Sequence, residues 1–151
     1  MGLSFQPKVG SVLMCDFVGF VEPEMVKRRP VVVIARNRAN SKLVTVVPLS
    51  TSEPEVMKAH HYRLPVNPVP ANQGATCWAK CDMIITVSLA RLDRLKKGWE
   101  RCVPMISDAD LNAIRQCVVN SLQLQNTILA VRGVGALSKI GTLTAVNAPM
   151  P

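Results

Sequence analysis

Lys27-Arg28-Arg29 is the densest cationic feature of the chain, and it stands between a long loop and the apolar run Pro30 to Ala35. Its position is as informative as its charge. Arg29 is pinned by a proline and a strand, so its guanidinium can be held rigidly and can offer two N–H donors to two oxygens of one phosphate. The plainer alternative is a surface pair ending a loop. Ser50-Thr51-Ser52 closes the neighbouring apolar run. If that run returns antiparallel to the first, Arg29 and Ser50 reach the same edge of the sheet. There an arginine beside a hydroxyl can stabilise a pentavalent phosphorane, by charge and hydrogen bonds aimed at its non-bridging oxygens. The bland use of Ser-Thr-Ser is to satisfy loop backbone.

Other groups compete for a chemical role. Glu22 and Glu24 precede the basic cluster, and either can reach back to Arg28 or Arg29 or accept a proton. Arginine itself stays protonated and suits charge stabilisation far better than base work. His60-His61 could supply acid and base in RNA cleavage. In a strand, however, adjacent side chains face opposite sides, so at most one histidine can enter a shared site. Cys77 and Cys81, three residues apart between them, plus the two histidines form a weak metal set, and core thiols are the favoured reading.

The elements that must position these groups read mainly as β. Val9 to Val18 predicts a first strand, Pro30 to Ala35 a strand covered on both faces, Arg36 to Lys42 a polar turn and Leu43 to Leu49 the returning strand. Pro48 suits a sheet edge or strand end. His60 to Val66 predicts another short strand. Ala75 to Val87 predicts two short strands or one bent strand broken at Asp82, giving a strongly curved sheet. Ser107 opens the clearest helix, with an N-cap hydroxyl, acids in the first turn and Leu111, Ile114, Val118 and Leu122 at helical spacing. A helical turn is expected at Ser88 to Leu92. Residues 125–151 read as a C-terminal extension of uncertain order beyond a domain spanning 1–124.

Composition bounds the partner. The 151 residues suit one domain, and 48% hydrophobic with 19% charged residues argues against disorder for most of the chain. No stretch approaches the roughly 18 apolar residues needed to cross a bilayer, and the N-terminus has no basic segment leading into an apolar core. A soluble cytoplasmic protein is expected. The five cysteines are odd in number and scattered, which reads as reduced thiols. A formal charge of +8 points to a polyanionic partner, and ten carboxylates leave little for a multi-carboxylate magnesium cage.

These residues resemble the MazF/PemK toxin endoribonucleases of bacterial type II toxin–antitoxin systems. The resemblance rests on Gly10 to Phe17 with its Asp16-Phe17 end, on Arg29-Pro30-Val31-Val32-Val33-Ile34 and on Val47-Pro48-Leu49-Ser50-Thr51. Cys81-Asp82-Met83-Ile84-Ile85-Thr86-Val87 with Arg91-Leu92, and the helix from Ser107, complete it. It implies a small SH3-like β-barrel of the plasmid-maintenance-toxin type with a C-terminal helix, and a homodimer. It also implies cofactor-free, sequence-selective cleavage of single-stranded RNA to a 2′,3′-cyclic phosphate and a 5′-OH end. The implied catalytic pair is Arg29 with Ser50, with Thr51 as a substitute hydroxyl and Glu24 assisting from the loop. Lys27, Arg28, Arg36, Arg38 and, from the residues themselves, one of His60 and His61 are the candidates for RNA contact. The implied partner is a cognate antitoxin, and through that complex DNA. The loop before Arg29 departs from the family, with Pro23, Met25 and Val26 replacing most of its usual Gly, Glu and Gln. A non-catalytic nucleic-acid binder, or a gyrase-inhibiting toxin, on the same fold is the alternative.

Overall fold

In the computed structural model, which describes residues 2–139 and side chains through 133, nine strands and two α-helices follow one another. The spine is a hairpin of β2 (Arg29–Arg36) and β3 (Leu43–Ser50). Its turn is built by asparagines: Asn37 Oδ1 accepts from the Ala39 and Asn40 N–H groups, and Asn40 Oδ1 from Lys42 N–H. Val31 to Ile34 are all buried and alternate between two cores, Val32 and Ile34 in one and Val31 and Val33 in the other. This is the strand covered on both faces that its unbroken β-branched run predicts.

β1 (Val12–Cys15) flanks β2 and is shorter than expected, because Val9 and Gly10 form a turn with Gly10 at φ +89°. β7 (Leu92–Asp93) then pairs with β1. On the far side of β3 the chain from Cys77 to Ser88 supplies β5 (Cys77–Lys80) and β6 (Ile85–Ser88), separated by a 3₁₀ turn at Cys81–Met83. The expected break at Asp82 is therefore real. Pro48, which has no N–H to donate, falls between Val46, the last residue paired to β6, and Leu49, the first paired to β5. β4 (His61–Leu64) completes the sheet beside β5.

The sheet order is β4-β5-β3-β2-β1-β7, and among the described residues no ladder joins β4 to β7. The fold is mainly β with two helices, and backbone pairing does not close the barrel that the resemblance implies. A separate hairpin of β8 (Leu95–Lys97) and β9 (Glu100–Cys102) was not expected, since Arg91 to Cys102 is dense in charge and lacks clean alternation.

Helix α1 (Asp108–Ser121) starts as its capping residues dictate: Ser107 Oγ accepts from Asp110 N–H at 3.1 Å and donates to Asp110 Oδ2 at 2.6 Å. The other Asp110 oxygen accepts from the Tyr62 hydroxyl at 2.7 Å, which ties the helix start to β4. Burial first and this bond second push the Tyr62 pKa up to about 12. Leu111, Ile114 and Val118 enter the core, whereas Leu122 stands past the last turn and is exposed. The β2–β3 register shifts between Val33 and Ala35, leaving Ile34 out of the ladder. Its carbonyl accepts from Arg115 of α1 through Nε at 3.1 Å and Nη2 at 2.7 Å, so the bulge leaves no orphan acceptor. Within the C-terminal extension, Gln125–Lys139 forms helix α2, and residues 140–151 lie outside the described residues.

Candidate functional site

The β2–β3 ladder ends at Val31 and Pro48. Beyond it the strands no longer pair with each other: Arg29 and Pro30 continue along β1, opposite Cys15 and Met14, while Leu49 and Ser50 pair with Ala79 and Trp78 of β5. The wedge between them is a small open pocket of ≈ 70 Å³, walled by Arg29, Pro30, Leu49, Ser50 and Thr51. Asn67, Val69, Asn72 and Cys77 complete it. Arg29 and Ser50 thus share one site, as the hairpin geometry requires.

The electrostatics of the wedge favour an anion. Arg29 Nε is buried and has no hydrogen-bond partner among the described residues. Among the described residues the ion pairs are His60–Asp82 and Arg101–Asp93, so no carboxylate neutralises Lys27, Arg28 or Arg29. Ser50 Oγ already accepts from Ser52 N–H at 3.1 Å, which leaves its O–H free to donate. Asn67 is buried and serves the loop: its Nδ2 donates to the Ala75 carbonyl and its Oδ1 accepts from Val69 N–H. Cys77 is buried, and burial pushes its thiol up to about 11, so it stays protonated at neutral pH. Cys15, the ladder partner of Arg29, is likewise raised to about 12, by burial first.

Other candidates from the sequence lie elsewhere. Glu24 Oε2 accepts from Val21 N–H at 2.7 Å within its own loop, and Glu24 lines a different pocket with Phe17, Phe20 and Met83. It is not among the residues that wall the wedge, since its loop packs Phe20 and Met25 onto the core face that holds Val31 and Val33. Arg36 is seven residues along the strand from Arg29, about 23 Å at the usual rise, and its guanidinium donates to the carbonyls of Pro7 and Gln6. Arg38 is exposed beside it in the hairpin turn. Lys27 and Arg28 are exposed next to the wedge.

His60 and His61 are not in the wedge either. Their rings do not diverge as strand neighbours would, but meet edge to face at 4.4 Å, because His60 sits in the turn before β4. Burial first, and then the charges of His60 and Lys80, lower the His61 pKa below 6.5, with Lys58 adding to the effect and Asp82 opposing it. His61 Nδ1 accepts from Lys58 N–H at 3.1 Å, a bond that exists only while that nitrogen is unprotonated. The folded pKa is the lower one, so the stability contributed by His61 is present above 6.5 and lost as pH falls through the folded value. NMR titration of the ring should give a midpoint below 6.5, and one at or above it contradicts this environment.

A second cationic surface escaped the sequence reading. A trough of ≈ 620 Å³ adjoining the wedge is lined by Arg28, Arg91, Arg94, Lys96 and Arg101 with only Asp16 and Asp93 as carboxylates. Arg91 donates to the carbonyls of Asp16 and Val18 and lies 4.9 Å from the Phe20 ring centroid. The run Arg91 to Lys97 carries four cations in seven residues, less dense than Lys27 to Arg29, and that clustering was the available signal.

The family model for PemK-like, MazF-like toxins of type II toxin–antitoxin systems matches residues 8–122. The chain belongs to that family. The Escherichia coli K12 protein YifN is 29% identical, with 83% of this chain and 100% of that protein covered. MazF of Deinococcus radiodurans superposes with a TM-score of 0.61 at 16% identity, covering 80% of this chain and 99% of that one. A mycobacterial endoribonuclease in complex with its cognate antitoxin gives 0.54 at 21% identity, covering 78% and 96%. Both likenesses establish a shared fold. The matched span takes in the wedge, the trough and α1 of this MazF-like chain, and ends at Leu122, before α2. Among the described residues no helix is long and apolar enough to cross a membrane.

Proposed function

We propose that this toxin-family member is an endoribonuclease that cleaves single-stranded RNA at the wedge, with Arg29 bound to the scissile phosphate. The observation that carries the reading is the buried, unpartnered Nε of Arg29 at a pocket edged by two hydroxyl residues. A buried donor without a partner costs about 1–3 kcal/mol, a cost that a bound phosphate oxygen removes. The ribose 2′-oxygen attacks the adjacent phosphorus and the P–O5′ bond breaks, leaving a 2′,3′-cyclic phosphate on one fragment and a 5′-OH on the other. The 2′-OH gives up a proton and the departing O5′ takes one, so nothing else is consumed. Arg29 stabilises the charge growing on the non-bridging oxygens, and the free O–H of Ser50 fixes their orientation, with Thr51 beside it. Neither a carboxylate nor an imidazole lines the wedge among the described residues, so water carries these protons in this mechanism. A homodimer and an antitoxin that covers the cationic surface belong to the same reading.

The test is a mixed-sequence single-stranded RNA incubated with the protein in EDTA, with product ends identified. Cyclic phosphate and 5′-OH ends support the reading. RNA bound and left intact would instead assign the chain to a nucleic-acid binder or a topoisomerase-directed toxin.

Ser50→Ala removes one hydrogen bond to a charged oxygen and should lower cleavage by about 10- to 100-fold. Glu24→Gln keeps an oxygen that can accept from Val21 N–H and should change the rate by less than about threefold, the scale of weakening one exposed hydrogen bond. Single-turnover rates for the two variants distinguish wedge from loop. A larger loss from Glu24→Gln than from Ser50→Ala would reverse the assignment.

A further inference from the structure

Trp99 is fully exposed at the tip of the β8–β9 hairpin. Lys97 and Glu100 are paired, so the turn is the two residues Gly98-Trp99. Gly98 has φ +62° and Trp99 has no positive φ, the signature of a type II′ turn with glycine at its first central position. The backbone therefore holds the indole outward on a short, fixed arm.

The arm carries a second feature that folding alone does not reward. Lys96 and Arg101 are directly opposite across the two strands, where like charges are destabilising, and both line the cationic trough. The carboxylates of the trough are already engaged. Asp93 Oδ1 accepts from Arg101 at 2.9 Å and from Arg94 N–H, and Asp16 Oδ1 accepts from Val18 N–H. The trough is also continuous with the wedge. Val69 lines both, Arg28 of the trough adjoins Arg29, and β8 packs on the turn Pro70–Asn72 that walls the wedge.

We infer that the β8–β9 hairpin is a base-stacking finger. The RNA strand whose scissile phosphate lies at Arg29 runs along the trough, its phosphates on Arg94, Lys96 and Arg101, and places an unpaired base on Trp99. This rests on the ribonuclease reading above. A cationic track ending in an exposed aromatic face is how single strands are held without sequence readout. An acidic peptide would compete for the same cations, and the test below includes one to separate the two.

The test uses uniformly 2′-O-methyl, mixed-sequence RNAs of about four and about twelve nucleotides, within the span of single-strand sites. They lack the 2′-OH and are not cut. Binding of the longer RNA should quench the exposed component of tryptophan emission, since Trp78, the other tryptophan, is buried. Trp99→Ala should abolish that quenching and weaken binding of the longer RNA by about tenfold. It should leave the shorter RNA unaffected and raise KM on long cleavable RNA with kcat retained. Trp99→Phe should restore most of the affinity. Unchanged quenching or affinity in Trp99→Ala, with wild-type cleavage intact, overturns the finger and spares the ribonuclease. An equal loss with the shorter RNA, or a loss confined to an acidic peptide, also overturns it. A wild-type protein that neither binds nor cuts RNA removes both readings.

Discussion

Arg29→Ala should slow RNA cleavage by roughly 10²–10³-fold, the scale found when one preorganised donor to a developing oxyanion is removed. The size follows from where the guanidinium sits. Its Nε is desolvated and has no partner among the described residues, so no internal bond there is broken when it turns to a phosphate and little reorganisation is needed. Arg29→Lys keeps the charge but loses the planar pair of donors, and should recover only a minor part of the rate. The same observation sets a sign for stability. Arg29→Met keeps the apolar stem in the wedge and deletes a buried donor that costs about 1–3 kcal/mol, so it should melt at the wild-type temperature or above it, by about 2–4 °C for each kcal/mol recovered. Single-turnover cleavage and a thermal melt on the same preparations check both halves. An active Arg29→Ala removes Arg29 from the mechanism. An Arg29→Met variant that unfolds early would mean that the guanidinium is a structural group.

The second large effect is on folding. Phe17→Ala should cost about 3–5 kcal/mol, the range for emptying a buried phenylalanine site, out of a total stability of about 5–15 kcal/mol. Phe17 is 1% exposed and heads the fully buried side chains by size, packed with Val31, Val33, Val44 and Val46. Its ring meets Phe20 edge to face at 5.7 Å, and the Phe20 ring lies beside the Arg91 guanidinium. An aromatic pair of this kind adds about 0.5–1.5 kcal/mol to area burial. A urea melt should show the midpoint falling with the slope unchanged, whereas a loss below about 1 kcal/mol would mean that the β2–β3 face collapses to fill the space. Because Phe17 leads directly into the loop that ends at Lys27-Arg28-Arg29, its loss should also blunt cleavage.

What could be read along the chain is what short-range forces decide. The unbroken run from Pro30 to Ala35 could only be a strand covered on both faces, and Ser107 followed by two acids and apolar residues at helical spacing could only open a helix. Steric preference, side-chain period and capping act within a few residues, so they leave their mark in sequence. The hairpin also brought Arg29 and Ser50 to one edge, because a tight turn fixes the register of the strands it joins. Tertiary structure decided the rest. The wedge exists because the β2–β3 ladder stops at Val31 and Pro48 while β2 runs on along β1 and β3 turns to β5, pairings made by strands distant in sequence. Glu24 lies at a plausible spacing from Arg29, yet its Oε2 accepts from Val21 N–H and its side chain lines the pocket of Phe17, Phe20 and Met83 instead of the wedge. The cations of Arg91 to Arg101 became one trough with Arg28 only when β7 paired with β1 and β8 packed on the Pro70–Asn72 turn. Sequence by itself determined which residues could do the chemistry and the local elements that carry them. Long-range strand pairing, whose register no neighbouring residue encodes, determined which of them meet.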